Sequence, residues 1–303
     1  MCLLSIVILA QEVKFLDRCI DSIVYNKKAL NNIEVIIVSN NKTTLSAKVR
    51  DRIRQYPCVS LISKHNIGDA LNIAFTKANG KYLKFMRSND WINIDEFSAY
   101  VDSLGSTNHD LILTNFREEN ILTSQSTLIN IQQAISYHKY SINSITVRTK
   151  YIAKQWKKSS LTLNHEYELQ YIIKVLANAR TEQVLPYDID RHFLFCITED
   201  KKTPLGFKEL QTILTSTIPL EERNKNQYKS IIFDKLKHTI SNYYESYYRI
   251  IKPNKNDLRS ILTFDKWLNN AYPDLHQQIP ASAHLRLRLS PFYRKLKHIV
   301  LSR

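Results

Sequence analysis

The sequence predicts an α/β fold with a mostly parallel sheet flanked by helices, continued by a helical C-terminal region. Three observations lead there. Over residues 1–116, short apolar runs alternate with segments of helical periodicity, the pattern of βαβ units. Those runs are apolar almost throughout rather than at every second position, as strands covered on both faces should be. From Pro204 onward the apolar residues recur only at helical spacing.

The elements follow in order. Leu4 to Ala10 is apolar except for Ser5, and predicts a central strand. It has neither the basic leader nor the cleavage site of a signal peptide, so it is assigned to the fold. Phe15, Leu16, Cys19, Ile20 and Ile23 predict a helix from Val13 to Tyr25. Ile33 to Val38 predicts a second strand, and Ser39 to Thr44 a polar loop. Ala47, Val49, Ile53 and Tyr56 predict a helix from Leu45 that ends before Pro57. Val59 to Ile62 predicts a third strand.

Asn66 to Trp91 is the most informative stretch. Ala70, Ile73, Ala74 and Lys77 fall on one helical face. Asn79-Gly80 ends that helix, with glycine free to adopt the positive φ of a C-cap. Tyr82 to Met86 predicts a buried strand, after which the chain turns polar at Arg87, Ser88, Asn89 and Asp90. Ligands of open α/β sheets bind beyond the carboxyl ends of strands, so chemistry is expected there. Ile94 to Leu104 predicts a helix and Leu111 to Phe116 a strand.

Beyond Glu118 the pattern is mixed. Ile142 to Val147 predicts a strand, and Tyr151 to Trp156 a short helix. Asn164 to Ala179 predicts a longer helix, with Asn164 as N-cap and Glu166 and Glu168 in its first turns. Pro186 is expected to break the extended piece that follows. Helices are expected over Phe207–Ser216, Leu220–Ile251 and Asp257–Ala271, then a tail. The expected division is 1–116, 117–203 and 204–303.

Composition narrows the function. The 303 residues are 44% hydrophobic and 23% charged, ordinary values for a folded protein. Only 4 glycines leave little room for a glycine-rich phosphate loop. Cys2, Cys19, Cys58 and Cys196 are scattered without metal spacing, and read as reduced thiols. No apolar run is long enough for a membrane-spanning helix. The net charge of +15 calls for an anionic partner: nucleic acid, an anionic membrane surface or a phosphorylated substrate.

Several short motifs occur in order: Ser5-Ile6-Val7-Ile8; Leu16 to Ile23; Ile36-Ile37-Val38; Asn66-Ile67-Gly68; Ala78-Asn79-Gly80-Lys81-Tyr82; and Phe85-Met86-Arg87-Ser88-Asn89-Asp90-Trp91. Together they resemble glycosyltransferase family 2, of the Rossmann-like GT-A fold, over the first third of the chain. The resemblance implies a nucleotide-sugar donor held by Ala10, Glu12, Ser39, Asn40, Asn66, Gly68, Ser88, Asn89 and Asp90. Trp91, His165 and His192 are implied on the acceptor side. His165-Glu166-Tyr167-Glu168-Leu169 lies where the family carries its general base, which makes Glu166 the candidate.

The departures from the family are informative. Ser39-Asn40 replaces an aspartate pair, and Arg87-Ser88-Asn89 replaces the D-x-D metal motif, leaving Asp90. Mg²⁺ or Mn²⁺ is the family's cation, and Asp90 is its weak candidate ligand here. One carboxylate and an amide make a poor divalent site. Arg87 brings a permanent cation whose fork fits phosphate oxygens. The expectation is that Arg87 takes over some or all of the metal's work.

The tail from His284 to Arg303 mixes leucine, aromatic and basic residues and has no acid, which suits an anionic lipid surface. The resemblance therefore implies a transferase of bacterial surface polysaccharide synthesis with a glycan or lipid-linked acceptor. It would lie in the cytoplasm, peripheral on the inner face of the membrane. Two alternatives are an inactive homologue serving as a scaffold and a nucleic-acid-binding protein. Dispersed basic residues and the lack of any recognition motif speak against nucleic acid.

Overall fold

The computed structural model describes residues 2–10, 13–40, 45–64, 67–120, 125–131, 144–151, 171–172, 175–176, 179–193, 210–211, 214–215, 229–248 and 255–279. At 40, 67–70, 192–193, 229–235, 246–248, 255 and 258 it describes the backbone alone. The chain divides into two compact units, Met1–Thr198 and Glu199–Arg303.

Among the described residues the first unit is built on a mixed sheet of nine strands. Strands β1 (Leu4–Leu9), β2 (Ile33–Asn40), β3 (Val59–Lys64) and β4 (Tyr82–Arg87) pair in parallel, in the order β3-β2-β1-β4. Helices α1 (Leu16–Val24), α2 (Ala47–Gln55) and α3 (Ile67–Lys77) make the crossovers. Beyond β4 the order continues through β8 (Ile145–Arg148), β6 (Leu111–Asn120), β9 (Glu182–Phe193) and the two-residue β5 (Trp91–Ile92), and β7 (Gln125–Ile129) pairs with β6. β8 runs antiparallel to both β4 and β6, whereas β9 is parallel to β6.

All six residues of β1 are buried, which fits the apolar run from which it was expected. Leu4, Ile6 and Ile8 face a core made with Leu16, Cys19 and Ile20 of α1, Val49 of α2, and Phe97, Tyr100 and Leu104 of α4 (Ile94–Ser106). Each such aliphatic or aromatic side chain contributes about 1.5–3 kcal/mol on leaving water. On the other face, Phe85 packs against Tyr171, which also stacks on Phe75 of α3.

Four expectations need correction. β2 does not stop at Val38: Ser39 and Asn40 continue it opposite Ser63 and Lys64, so the polar loop starts later. The buried face of α3 is Leu71, Ala74 and Phe75; Lys77 is exposed and Ile73 only half-buried. The i, i+3, i+4 spacing was right, but one residue out of phase.

Gly80 is needed for close approach, not for a positive φ. A Cβ there would lie 2.5 Å from the Ser5 amide nitrogen and 2.8 Å from the Leu4 carbonyl carbon. Gly80 N–H donates to Ser5 Oγ at 2.8 Å, and Ser5 Oγ donates to Glu34 at 2.6 Å, fastening the start of β4 to β1 and β2.

Finally, Pro186 does not break its strand. β9 runs through it, and the register against β6 slips on either side of Asn115. A proline has no N–H for the ladder, and bulges are where strands tolerate one. Asn115 Nδ2 instead donates to the Pro186 carbonyl at 3.2 Å.

The helices expected at Tyr151–Trp156, Asn164–Ala179 and Phe207–Ser216 lie mostly outside the described residues, as does the start of the strand expected at Ile142. The described part of the second unit contains α5 (Lys229–Tyr248), α6 (Lys255–Ala271) and the short α7 (Pro273–Gln277). Tyr243 meets Phe264 edge-on at 4.7 Å between centroids. Tyr244 O–H donates to Asp265, whose Oδ1 also lies 3.0 Å from His276 Nε2.

Candidate active site

The parallel ladder brings the carboxyl ends of β1, β2 and β4 side by side. Leu9 stands opposite both Val38 and Arg87. Ala10 N–H donates to the Val38 carbonyl at 2.8 Å, and Ser88 N–H to the Leu9 carbonyl at 3.1 Å. Ala10, Ser39, Arg87 and Ser88 are thus gathered at one sheet end, as their positions in the sequence implied. Asn40 closes β2 beside them.

Asp90 N–H donates back to the Arg87 carbonyl at 3.2 Å, making a tight turn of Arg87 to Asp90. Strand alternation puts Arg87 on the Phe85 side of the sheet, and the residue is half-buried. Ser88 and Asp90 are buried, Asp90 at 1% exposure, and Asn89 is half-buried. After the turn, Trp91 and Ile92 form β5, with Ile92 N–H donating to Ser22 Oγ of α1 at 3.0 Å. The exposed Arg18 guanidinium lies 3.3 Å from the centre of the Trp91 ring, a close cation–π pair.

The remaining candidates are distributed as follows. Gly68 is in the first turn of α3. His192 lies on β9 opposite Glu118. Glu12, Asn66, His165 and Glu166 lie outside the described residues.

The turn is a poor fit for a divalent cation. Its one carboxylate, Asp90, is buried, and no group of three or more His, Cys, Asp or Glu that could hold a metal occurs among the described residues. Such a cation needs several oxygen ligands.

Two residues that the sequence did not single out flank the turn, Lys84 before it on β4 and Asp190 paired with Ile92 after it. Lys84, in the middle of β4, and Asp190, on β9, are both fully buried and form an ion pair at 2.9 Å. Thr114 O–H donates to the same Asp190 oxygen at 3.4 Å. Burial pushes the Asp190 carboxyl up to about 6, against the pull of Lys84, and the neighbouring Asp90 charge pushes the same way. Burial also raises the Cys19 thiol, with Asp90 adding to it, so Cys19 is an inert core thiol that leans on the Arg87 carbonyl at 3.7 Å. A lysine inside the apolar run YLKFM was the available signal for Lys84. Nothing local marked its partner.

The family model for glycosyl transferase family 2 matches residues 5–163. Comparison with curated protein sequences returns no match. Among solved structures, S. aureus TarS 1–349 in complex with UDP-GlcNAc superposes with a TM-score of 0.67 at 12% identity, over 99% of this chain and 92% of that one. The same protein in complex with UDP gives 0.62 at 12% identity, over 99% and 91%. The mannosyltransferase PcManGT from Pyrobaculum calidifontis, in complex with GDP-Man and Mn²⁺, gives 0.52 at 11% identity, over 94% and 84%.

Proposed function

The chain belongs to glycosyl transferase family 2 and is a glycosyltransferase of the GT-A fold, and on that premise we propose that it moves a sugar from a nucleotide-sugar donor to a glycan or lipid-linked acceptor, with inversion, in bacterial surface polysaccharide synthesis. The acceptor hydroxyl attacks the anomeric carbon while the bond from that carbon to the diphosphate oxygen breaks. The nucleoside diphosphate leaves with the electron pair. The hydroxyl proton passes to Glu166, at the start of the helix expected from Asn164. Nucleotide-sugar complexes of the structural neighbours support the donor class.

One observation carries the reading. Arg87 occupies the carboxyl end of β4 opposite Leu9, at the place where the family's pattern has a metal-binding aspartate. A guanidinium there offsets the charge that gathers on the departing diphosphate, and it does so in bidentate fashion. Ala10, Ser39, Asn40, Ser88 and Asn89 complete the donor side, and Trp91 and His192 the acceptor side.

A thermal-shift screen of nucleotide-sugars, run with EDTA and with Mn²⁺, tests this. A bound donor raises the melting temperature by mass action. The expected result is stabilisation by one nucleotide-sugar class that EDTA leaves intact. Stabilisation abolished by EDTA and restored by Mn²⁺ would remove the role given to Arg87. No stabilisation by any donor would favour the scaffold reading.

None of the described helices is long and apolar enough to cross a membrane. The basic tail, 284–303, supports docking on anionic lipid from the cytoplasmic side, although it lies outside the described residues. Flotation with phosphatidylglycerol vesicles should lose the protein when 284–303 is deleted; equal flotation would refute the docking.

A further inference from the structure

Both ends of the segment that carries the candidate donor residues are tied to one residue. At its start, Lys84 Nζ bonds the Asp190 carboxylate at 2.9 Å. At its end, Ile92 pairs with Asp190 through the antiparallel β5–β9 ladder. The next residue continues the attachment: Asn93 N–H donates to the Ile189 carbonyl at 2.6 Å, and Asn93 Nδ2 to the Asp188 carbonyl at 3.0 Å. Between those ends lies the turn from Arg87 to Asp90. The chain from Lys84 to Ile92 is therefore a loop closed on Asp190, by a side chain at one end and by backbone at the other.

The closure is ionic, and that choice needs a reason. A fully buried ion pair gains little over a well-packed apolar pair of the same volume, because two charges lose their water. What an ion pair supplies is direction: the ammonium and the carboxylate meet at one distance and angle, whereas methyl groups slide. Asp190 Oδ1 has no hydrogen-bond partner among the described residues, so the site tolerates an unpaired lone pair to keep this geometry. The charge also matters to the neighbourhood. Asp190 and Asp90 are close enough to feel one another. Without Lys84, two carboxylates would stand under a site meant for an anion.

We propose that Lys84 and Asp190 are positioning residues for the donor site: their buried pair closes the Lys84–Ile92 segment and so fixes the shape of the Arg87–Asp90 turn. The transferase reading above gives the turn its purpose, but the closure itself is a claim about structure.

The test is hydrogen exchange on Lys84→Met/Asp190→Leu, which replaces the pair by apolar groups. The pair's removal as a unit should leave the melting temperature within a few degrees of the parent. Protection of the Ser88, Asp90 and Ile92 amides should fall at least tenfold, while amides of the β1–β2 ladder keep theirs. Unchanged protection in the turn would overturn the proposal. Should the double variant not fold, Asp190→Glu keeps both charges and changes only the reach. The same selective loss is expected there, and its absence would again overturn the proposal. Calorimetry with UDP and with GDP separates the two readings. A diphosphate that binds the parent should bind the variants at least tenfold more weakly. If the parent binds neither, the transferase reading fails, and the exchange data still decide the closure.

Discussion

Arg87 stands opposite Leu9 in the parallel ladder, and the next residue, Ser88, extends that ladder by donating to the Leu9 carbonyl at 3.1 Å. Arg87 is therefore mounted on the last rung of a central strand rather than on a loose loop. On the proposed reading, a cation so placed would meet a diphosphate from a fixed backbone position. Arg87→Ala should weaken UDP or GDP binding roughly 10- to 100-fold, the value of a charge-assisted hydrogen bond at about 1.5–3 kcal/mol. Arg87→Lys should recover part of the loss, since it keeps the charge without the fork. Calorimetric titration measures both, and full binding by Arg87→Ala would refute the role.

Glu166→Gln removes the proposed proton acceptor while keeping shape. Transfer to acceptor should fall roughly 10²–10⁴-fold. Donor affinity should change little, because the base acts on the acceptor. A steady-state assay that found a raised donor KM with kcat intact would assign Glu166 to binding instead.

Asp190 gives a pH dependence whose sign is fixed by its surroundings. Burial pushes its carboxyl from 3.8 up to about 6 in the fold, with Lys84 and Thr114 pulling down and Asp90 pushing up. A folded-state value above the unfolded one means that the native protein binds more protons between the two. The stability this group contributes is complete below the unfolded value and is lost as the pH rises through about 6. Asp190→Asn removes that component. The parent's advantage over the variant in urea unfolding should shrink from roughly pH 4 to pH 7. An advantage that grew over that range would contradict the assignment.

Gly80→Ala should destabilise the first unit by about 1–3 kcal/mol, the usual cost of overpacking. The new methyl would meet main-chain atoms of Leu4 and Ser5, which cannot swing aside as a side chain can. The urea midpoint should drop, and Ser5→Gly should not rescue it, because the nearest obstacle is backbone.

Much of the first unit was legible because a strand buried on both faces writes itself as an apolar run. β1, β2 and β4 were found that way, with ends that differ by a few residues at most. Where polarity was used to end an element, it misled: Ser39 and Asn40 are polar yet remain on the ladder, since backbone pairing with Ser63 and Lys64 is indifferent to side chains. The sheet end holding Ala10, Ser39, Arg87 and Ser88 could be read from motif order. The Lys84–Asp190 pair could not, because its partners are 106 positions apart and nothing local in either segment names the other. Pro186 shows the same limit: its ring forbids a donor, not a strand, and only the register against β6 reveals the slip.

That slip has a consequence for parity. Between the pairs Leu185–Thr114 and Asp190–Phe116, β6 advances two residues while β9 advances five. The surplus is three, an odd number, and strands show alternate residues to opposite sides. Were the Leu185–Thr114 register to run on without the slip, Asp190 would fall opposite Glu119 and present its carboxylate away from Lys84. A kink near one proline thus works as a vernier, choosing which side of the barrier the far half of the strand addresses.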